Sequence, residues 1–273
     1  MTSEEELPAW SLPADAIDKI TLPTRWPERV TREWAWGGST GKAVRVCVLD
    51  SGVEPGHPGV GDLTNAVAIK VRDGETIVEE DNEGDLCGHG TACAGIIREL
   101  APECELHSVR VLGAGFTGSG AALLAGLRWS IEHGFDVINM SLSTTKQQFA
   151  ELLHELADAA YFKRTMLIAS AHNMPVESYP WKFSSVISVG SHELADPFTF
   201  FYNPNPPVEF FARGYNLDIA WVGGGRLRAT GNSFATPHIA GIAALILGKH
   251  PELTPFQLKS VLHLTATNVG GNE

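Results

Sequence analysis

Apolar positions along this chain fall into short runs whose period changes from run to run, and the changes mark the elements. Residues 43–50, AVRVCVLD, form a nearly unbroken β-branched apolar run, the pattern of a strand covered on both faces. HGTACAGIIREL, from residue 89, has a small-residue face at helical spacing and predicts a closely packed helix. The alternation continues with HSVRVL (107–112) as a strand, GSGAALLAGLRWSIEHG (118–134) as a helix and FDVINMS (135–141) as a strand. KQQFAELLHELADAAYF (146–162) is an amphipathic helix, and TMLIAS (165–170) and VISVGS (186–191) are strands. Strands alternating with helices imply right-handed crossovers. The predicted fold class is α/β: a doubly wound, mainly parallel sheet with helices on both faces, in three layers α/β/α.

Two stretches fall outside this alternation. Residues 1–40 hold several Pro and Trp without strong periodicity and read as an N-terminal arm with one short helix near DAIDKI. Residues 41–273 read as a single domain, a size that one α/β core can reach. The segment DGETIVEEDNEGD, residues 73–85, is acidic and reads as a loop or hairpin.

Charge and composition narrow the function classes. A formal net charge of −12 argues against a nucleic-acid partner, which calls for a basic face. No window approaches a membrane span, and MTSEEELPAW has acids where a signal peptide has a basic region. No membrane partner and a cytoplasmic location are therefore expected, or secretion if a leader has been removed. The four cysteines, at 47, 87, 93 and 104, have no zinc-site spacing, and neither a metal nor a cofactor is expected.

The chemistry is carried by three element boundaries. GNSFATPH, residues 231–238, runs into IAGIAALIL and sets Ser233 at the start of a helix, where backbone N–H groups and the helix dipole favour negative charge. An ordinary Ser cap reads the same way in isolation. Asp50, however, stands at the carboxyl end of the buried strand, and His89 opens the small-residue helix. An acid, an imidazole and a hydroxyl in that arrangement are what an orienter, a base and a nucleophile require.

With DSG at 50–52, HGT at 89–91, NSFATPHIAG at 232–241, SVRVLG at 108–113 and DVINMSLS at 136–143, the chain resembles the subtilisin-like serine peptidases. The resemblance runs from about Gly41 to about Thr267. It implies a serine endopeptidase acting on a peptide or protein substrate through Asp50, His89 and Ser233, with Asn173 of IASAHN as the side-chain oxyanion donor. It also implies a cis peptide at Tyr179–Pro180 and an extended substrate lying between Gly118-Ser119-Gly120 and Ser141-Leu142-Ser143. Ser143 and His172 stand where the family usually has Gly, and Asn232 where it usually has Thr.

Other departures concern calcium and the chain ends. REL passes directly to APECELHSVRV where many members insert a calcium loop, so no such site is expected. No folded propeptide is expected before the Asp50 strand, and because HLTATNVGGNE stops short of the family's closing segment, either a longer natural chain or a different end to the fold is expected. EEELPAWSLP is then either an arm laid across the cleft or one packed outside it.

Within the peptidase reading, general turnover and processing of a dedicated intracellular precursor both remain, and the acidic 73–85 segment is expected at the cleft rim. A catalytically inactive peptide-binding relative is the alternative. An α/β esterase is disfavoured because that fold orders its triad Ser, acid, His. Oligomeric state is not encoded legibly.

Overall fold

The β-branched run becomes β1 (Arg45–Asp50), and its two-residue period decides where the layers lie. Val46 and Val48 enter one core while Cys47 and Leu49 enter the other, as a strand covered on both faces must arrange them. The computed structural model describes residues 8–20 and 25–270.

In chain order, a 3-10 turn (Ala14–Lys19) and α1 (Arg32–Trp36) precede β1. They are followed by β2 (Asn65–Arg72), β3 (Glu75–Glu80), α2 (His89–Leu100), β4 (Glu105–Arg110), α3 (Gly120–Glu132) and β5 (Val137–Met140). Next come α4 (Ala150–Phe162), β6 (Met166–Ser170), β7 (Ile187–His192), β8 (Phe200–Tyr202) and β9 (Phe210–Arg213). The chain then forms a hairpin of β10 (Leu217–Trp221) and β11 (Gly225–Ala229), and ends in α5 (Asn232–Lys249) and α6 (Pro255–Thr265).

Among the described residues nine strands form one sheet in the order β3-β2-β4-β1-β5-β6-β7-β9-β8. Pairing is parallel from β2 across to β9, and only the edge strands β3 and β8 run antiparallel. One face carries α3 and α4, through Leu127, Ile131, Leu153 and Ala157. The other carries α2, α5, α6 and α1. The three-layer α/β/α class read from the alternation is the observed one.

α5 is apolar on every side and is buried from Phe234 to Leu247, as a helix without a polar face must be. Each fully buried Ile or Leu along it contributes about 1.5–3 kcal/mol relative to exposure. The chain order also places the site: the chain leaves β1 past β4 to β2, and after β4 it crosses β1 to β5 on the other side, so the crossover direction reverses beside β1. Ligand crevices of open α/β sheets form at the carboxyl ends of strands at such a switch point, and Asp50 ends β1 there.

The helix α1 lies within the stretch read as an arm. Its Ala35 is fully buried, and Lys249 at the last residue of α5 donates to the carbonyls of Glu33 (2.6 Å) and Gly37 (3.0 Å). An 18-residue α5 is ~27 Å long, so this contact lies a helix length from Ser233. Within EEELPAWSLP, residues 8–13 are exposed and do not line the cleft, and residues 4–7 lie outside the described residues.

Candidate active site

Asp50 follows Val46 and Val48 in the alternation of β1, so its carboxylate turns toward α2 and α5 and is fully buried. His89 opens α2 directly opposite. Its Nδ1–H donates to both carboxylate oxygens, at 2.8 Å to Oδ1 and 3.0 Å to Oδ2, which leaves Nε2 as the free ring nitrogen. The Ser51 amide donates to Oδ1 as well, at 2.8 Å. Such close approach of strand end and helix start requires glycine: a Cβ on Gly90 would collide with the Gly52 carbonyl. Burial is the largest single influence on His89 and lowers its pKa, but the Asp50 carboxylate and the neighbouring Cys93 sulfur together outweigh it and hold the imidazole well above its ordinary 6.5.

Ser233 is the second residue of α5, after Gly231 and Asn232. Pro237 stands four residues on and has no N–H, so the Ser233 carbonyl lacks the usual helical donor. Ser141 Oγ supplies a replacement at 2.7 Å, and Asn139 Nδ2 donates to Ser141 Oγ in turn at 3.1 Å. The Cys93 thiol touches the same carbonyl at 3.7 Å and His89 Nδ1 at 4.0 Å. Burial pushes the Cys93 thiol above its ordinary range, so it stays protonated at neutral pH.

Asn173 Oδ1 accepts the Asn232 amide at 2.9 Å, an arrangement that fixes the side chain and leaves Nδ2 as a donor. A Cβ built on Gly231 would lie 3.2 Å from Ser233 Oγ and 3.6 Å from Asn173 Nδ2, so both groups crowd the same glycine. Asn232 clamps this corner. Its Oδ1 accepts from Ser191 N (2.9 Å) and Oγ (2.8 Å), while Nδ2 donates to the Ala171 and His172 carbonyls at 3.3 Å each.

A cavity of about 370 Å³ opens over these groups. His89, Ser233 and Asn173 line it together with Gly118, Ser119 and Gly120 on one side. Ser141, Leu142, Ser143 and His172 complete the residues that the sequence nominated there, while Asp50 lies buried behind His89. Tyr179–Pro180 is cis, as the resemblance implied.

The acidic segment is placed differently from the expectation. Asp73 to Asp85 do not form the cleft rim: none of these residues lines the cavity. Residues 75–80 are β3, paired on β2 at the sheet edge, where Glu79 meets Lys70 and Arg72. Asp81 and Glu83 bind the Arg110 guanidinium. Asp85 turns inward and accepts the amides of Cys87 (2.9 Å), Gly88 (2.8 Å) and Thr91 (2.8 Å).

Sequence reasoning also passed over the clamping role of Asn232, the inward turn of Asp85 and the anchoring role of Ser141. A legible signal existed for the last: a proline four residues after the serine of a helix start removes one donor, and another must serve the exposed carbonyl. Among the described residues, Asp50, His89 and Cys93 alone have donor atoms close enough together to share an ion. An ion there would displace the proton that joins His89 to Asp50.

A buried acid–imidazole pair beside a hydroxyl at a helix start, on a doubly wound sheet, is the arrangement of a serine hydrolase. Residues 41–273 match the subtilase family. The chain is 33% identical over 252 residues to subtilisin of Bacillus pumilus, covering 86% of this chain and 88% of that protein. It is 31% identical over 273 residues to the minor extracellular protease Epr of Bacillus subtilis (strain 168), covering 94% of this chain but 40% of Epr. A cold-adapted subtilisin-like serine proteinase of known structure superposes with a TM-score of 0.69 at 26% identity, over 86% of this chain and 88% of that one. The chain belongs to the subtilase family and is a subtilisin-like serine endopeptidase, a hydrolase of peptide bonds.

Proposed function

We propose that Asp50, His89 and Ser233 form the catalytic triad of this endopeptidase, with Asn173 Nδ2 and the Ser233 amide as oxyanion donors. The observation that carries the reading is the two-pronged bond from His89 Nδ1 to buried Asp50, with Ser233 and Asn173 on the wall of the same cavity. Asp50 holds the imidazole in the tautomer whose Nε2 accepts a proton. The Ser233 hydroxyl gives its proton to Nε2 as its oxygen attacks the scissile carbonyl, and the oxyanion forms facing Asn173 Nδ2. Nε2 then returns the proton to the leaving amine, and water hydrolyses the acyl-enzyme by the same steps in reverse.

A dedicated precursor peptide inside the cell is the finer reading. It draws on Ser143 and His172, which line the cleft where the family usually has Gly and so add side-chain bulk near Ser233. Labelling by a serine-directed phosphonate tests the assignment: the label is expected on Ser233, and Ser233→Ala abolishes both label and turnover. Asn173→Leu is expected to lower turnover by about 10²–10³, the figure set by subtilisin's own donor asparagine. A label on another residue, or wild-type turnover in Ser233→Ala, overturns the triad. A folded chain with neither label nor turnover is the inactive peptide-binding relative.

A further inference from the structure

The charges around the cleft run against those of the chain. Acidic residues outnumber Lys and Arg by 32 to 20 over the sequence, yet among the described residues the cavity lining contains no carboxylate. Its titratable groups are His89, His172 and Lys146. From these we infer that the enzyme selects peptides carrying an acidic side chain beside the scissile bond, with Lys146 as the group that meets the carboxylate. The inference rests on the assignment of Ser233 as nucleophile.

Lys146 is held by its backbone and free at its tip. Thr144 and Tyr179 exchange backbone hydrogen bonds at 2.9 Å in both directions, which fixes the wall from which Lys146 projects. The Lys146 amide donates to Thr144 Oγ1 at 3.2 Å and its carbonyl accepts from Phe149 at 3.1 Å. Its ammonium has no carboxylate or carbonyl partner among the described residues, whereas Lys70, Lys182 and Lys259 each hold a glutamate and Lys249 two carbonyls. An exposed, unpaired lysine on a cavity lined by no carboxylate among the described residues is a ready partner for an incoming carboxylate.

Three further features act in the same direction. His172 Nδ1 accepts the Met174 amide at 3.0 Å, so its Nε2 is the donor left for a ligand. α3 begins at the cavity with Gly120, α5 presents its second residue, Ser233, there, and both N-termini add partial positive charge. Four of the carboxylates that precede His89 are engaged elsewhere, Glu79, Asp81 and Glu83 by basic side chains and Asp85 by amides, and Glu80 does not line the cavity. A substrate carboxylate therefore meets no like charge from the described residues that line the cleft. A basic side chain gains nothing there and faces Lys146.

The experiment uses the full chain and a quenched-fluorescent peptide of neutral sequence. Glu, Gln or Lys replaces one position at a time on both sides of the bond, and kcat/KM is measured for wild type, Lys146→Gln and Lys146→Glu. At one position or more, Glu is expected to exceed Gln by roughly threefold and Lys by roughly tenfold, as a partly exposed ion pair allows. The preference flattens in Lys146→Gln, reverses in Lys146→Glu and fades at high salt. Absence of a Glu preference at every position, or one unchanged in Lys146→Glu, overturns the inference while phosphonate-labelled Ser233 and cleavage of the neutral peptide leave the peptidase assignment standing. No labelling and no cleavage by wild type overturns both.

Discussion

Ser51 Oγ donates to the Asp85 carboxylate at 2.8 Å and accepts the Gly90 amide at 3.1 Å, so one hydroxyl ties the residue after Asp50 to the residue after His89. Asp85 is the hub of this tie. Besides Ser51 it takes the amides of Cys87, Gly88 and Thr91 and the Thr91 hydroxyl (2.6 Å), all at the start of the helix that carries His89. Asp85→Ala is expected to cost about 2–4 kcal/mol, because several donors lose a charged acceptor at once. Well below the melting temperature, turnover of the remaining folded enzyme should fall by roughly 10²-fold, since a small misplacement of the base is enough. Denaturant melts and single-turnover rates check this, and an Asp85→Ala enzyme of wild-type rate refutes the positioning role.

The Asp50–His89 pair makes activity and stability move in opposite directions with pH. Burial, the largest single effect, lowers the imidazole pKa, Asp50 and Cys93 together raise it more, and the net position is well above 6.5. His89 must be neutral to accept the Ser233 proton, so kcat/KM is expected to rise with pH through that elevated value. The native state binds the extra proton above 6.5, so this pair's contribution to stability is full below 6.5 and is lost as pH rises through the folded pKa. The unfolding free energy of wild type relative to Asp50→Asn should therefore fall across the interval in which activity climbs. A difference that grows with pH there would contradict the assignment.

Thiol chemistry separates the two cysteines flanking His89. Cys93 is fully buried with a raised pKa, and burial pushes Cys47 up to about 12 and Cys104 to about 11. Cys87 is only half-buried; its thiol donates to the Gly113 carbonyl at 3.1 Å and accepts the Phe116 amide at 3.4 Å. Phe116 stands edge-on to the His89 ring with centroids 5.8 Å apart. Iodoacetamide at neutral pH should therefore modify Cys87 first, with activity falling in step as Phe116 is displaced. Peptide mapping that finds Cys93 alkylated before Cys87 would sink this account.

What the sequence made legible follows from period and order. Val46, Val48 and Asp50 alternate with Cys47 and Leu49 strongly enough to predict a two-sided strand, and the crossovers then follow from handedness. Short elements stayed hidden where context outweighs pattern. β8 has three residues and β9 four, and both depend on pairing with distant partners rather than on their own spacing. The helix α1 has five residues, held by its burial of Ala35 and by Lys249. At the site, the groups named by type and boundary converge on one cavity. The carboxylate count of residues 73–85 misled because charge in a sequence carries no direction, and Arg110 and the α2 amides absorb it.

Ser141 gives the sharpest test of how Ser233 is held. Its hydroxyl serves the carbonyl that Pro237 leaves without a helical donor, and the Cys93 thiol at 3.7 Å is a weak substitute. Ser141→Ala should cost roughly 1–3 kcal/mol, the penalty of a buried acceptor left unpaired, and should lower turnover because the nucleophile's residue loses its anchor. Pro237→Ala creates the missing N–H four residues after Ser233. In the double variant that amide can close the ordinary helical bond to the same carbonyl. The double variant is therefore expected to be more stable than the sum of the two single losses allows, by a coupling of about 1 kcal/mol. Denaturant titration of the four proteins measures it, and strictly additive losses would show that the Ser233 carbonyl does not depend on Ser141.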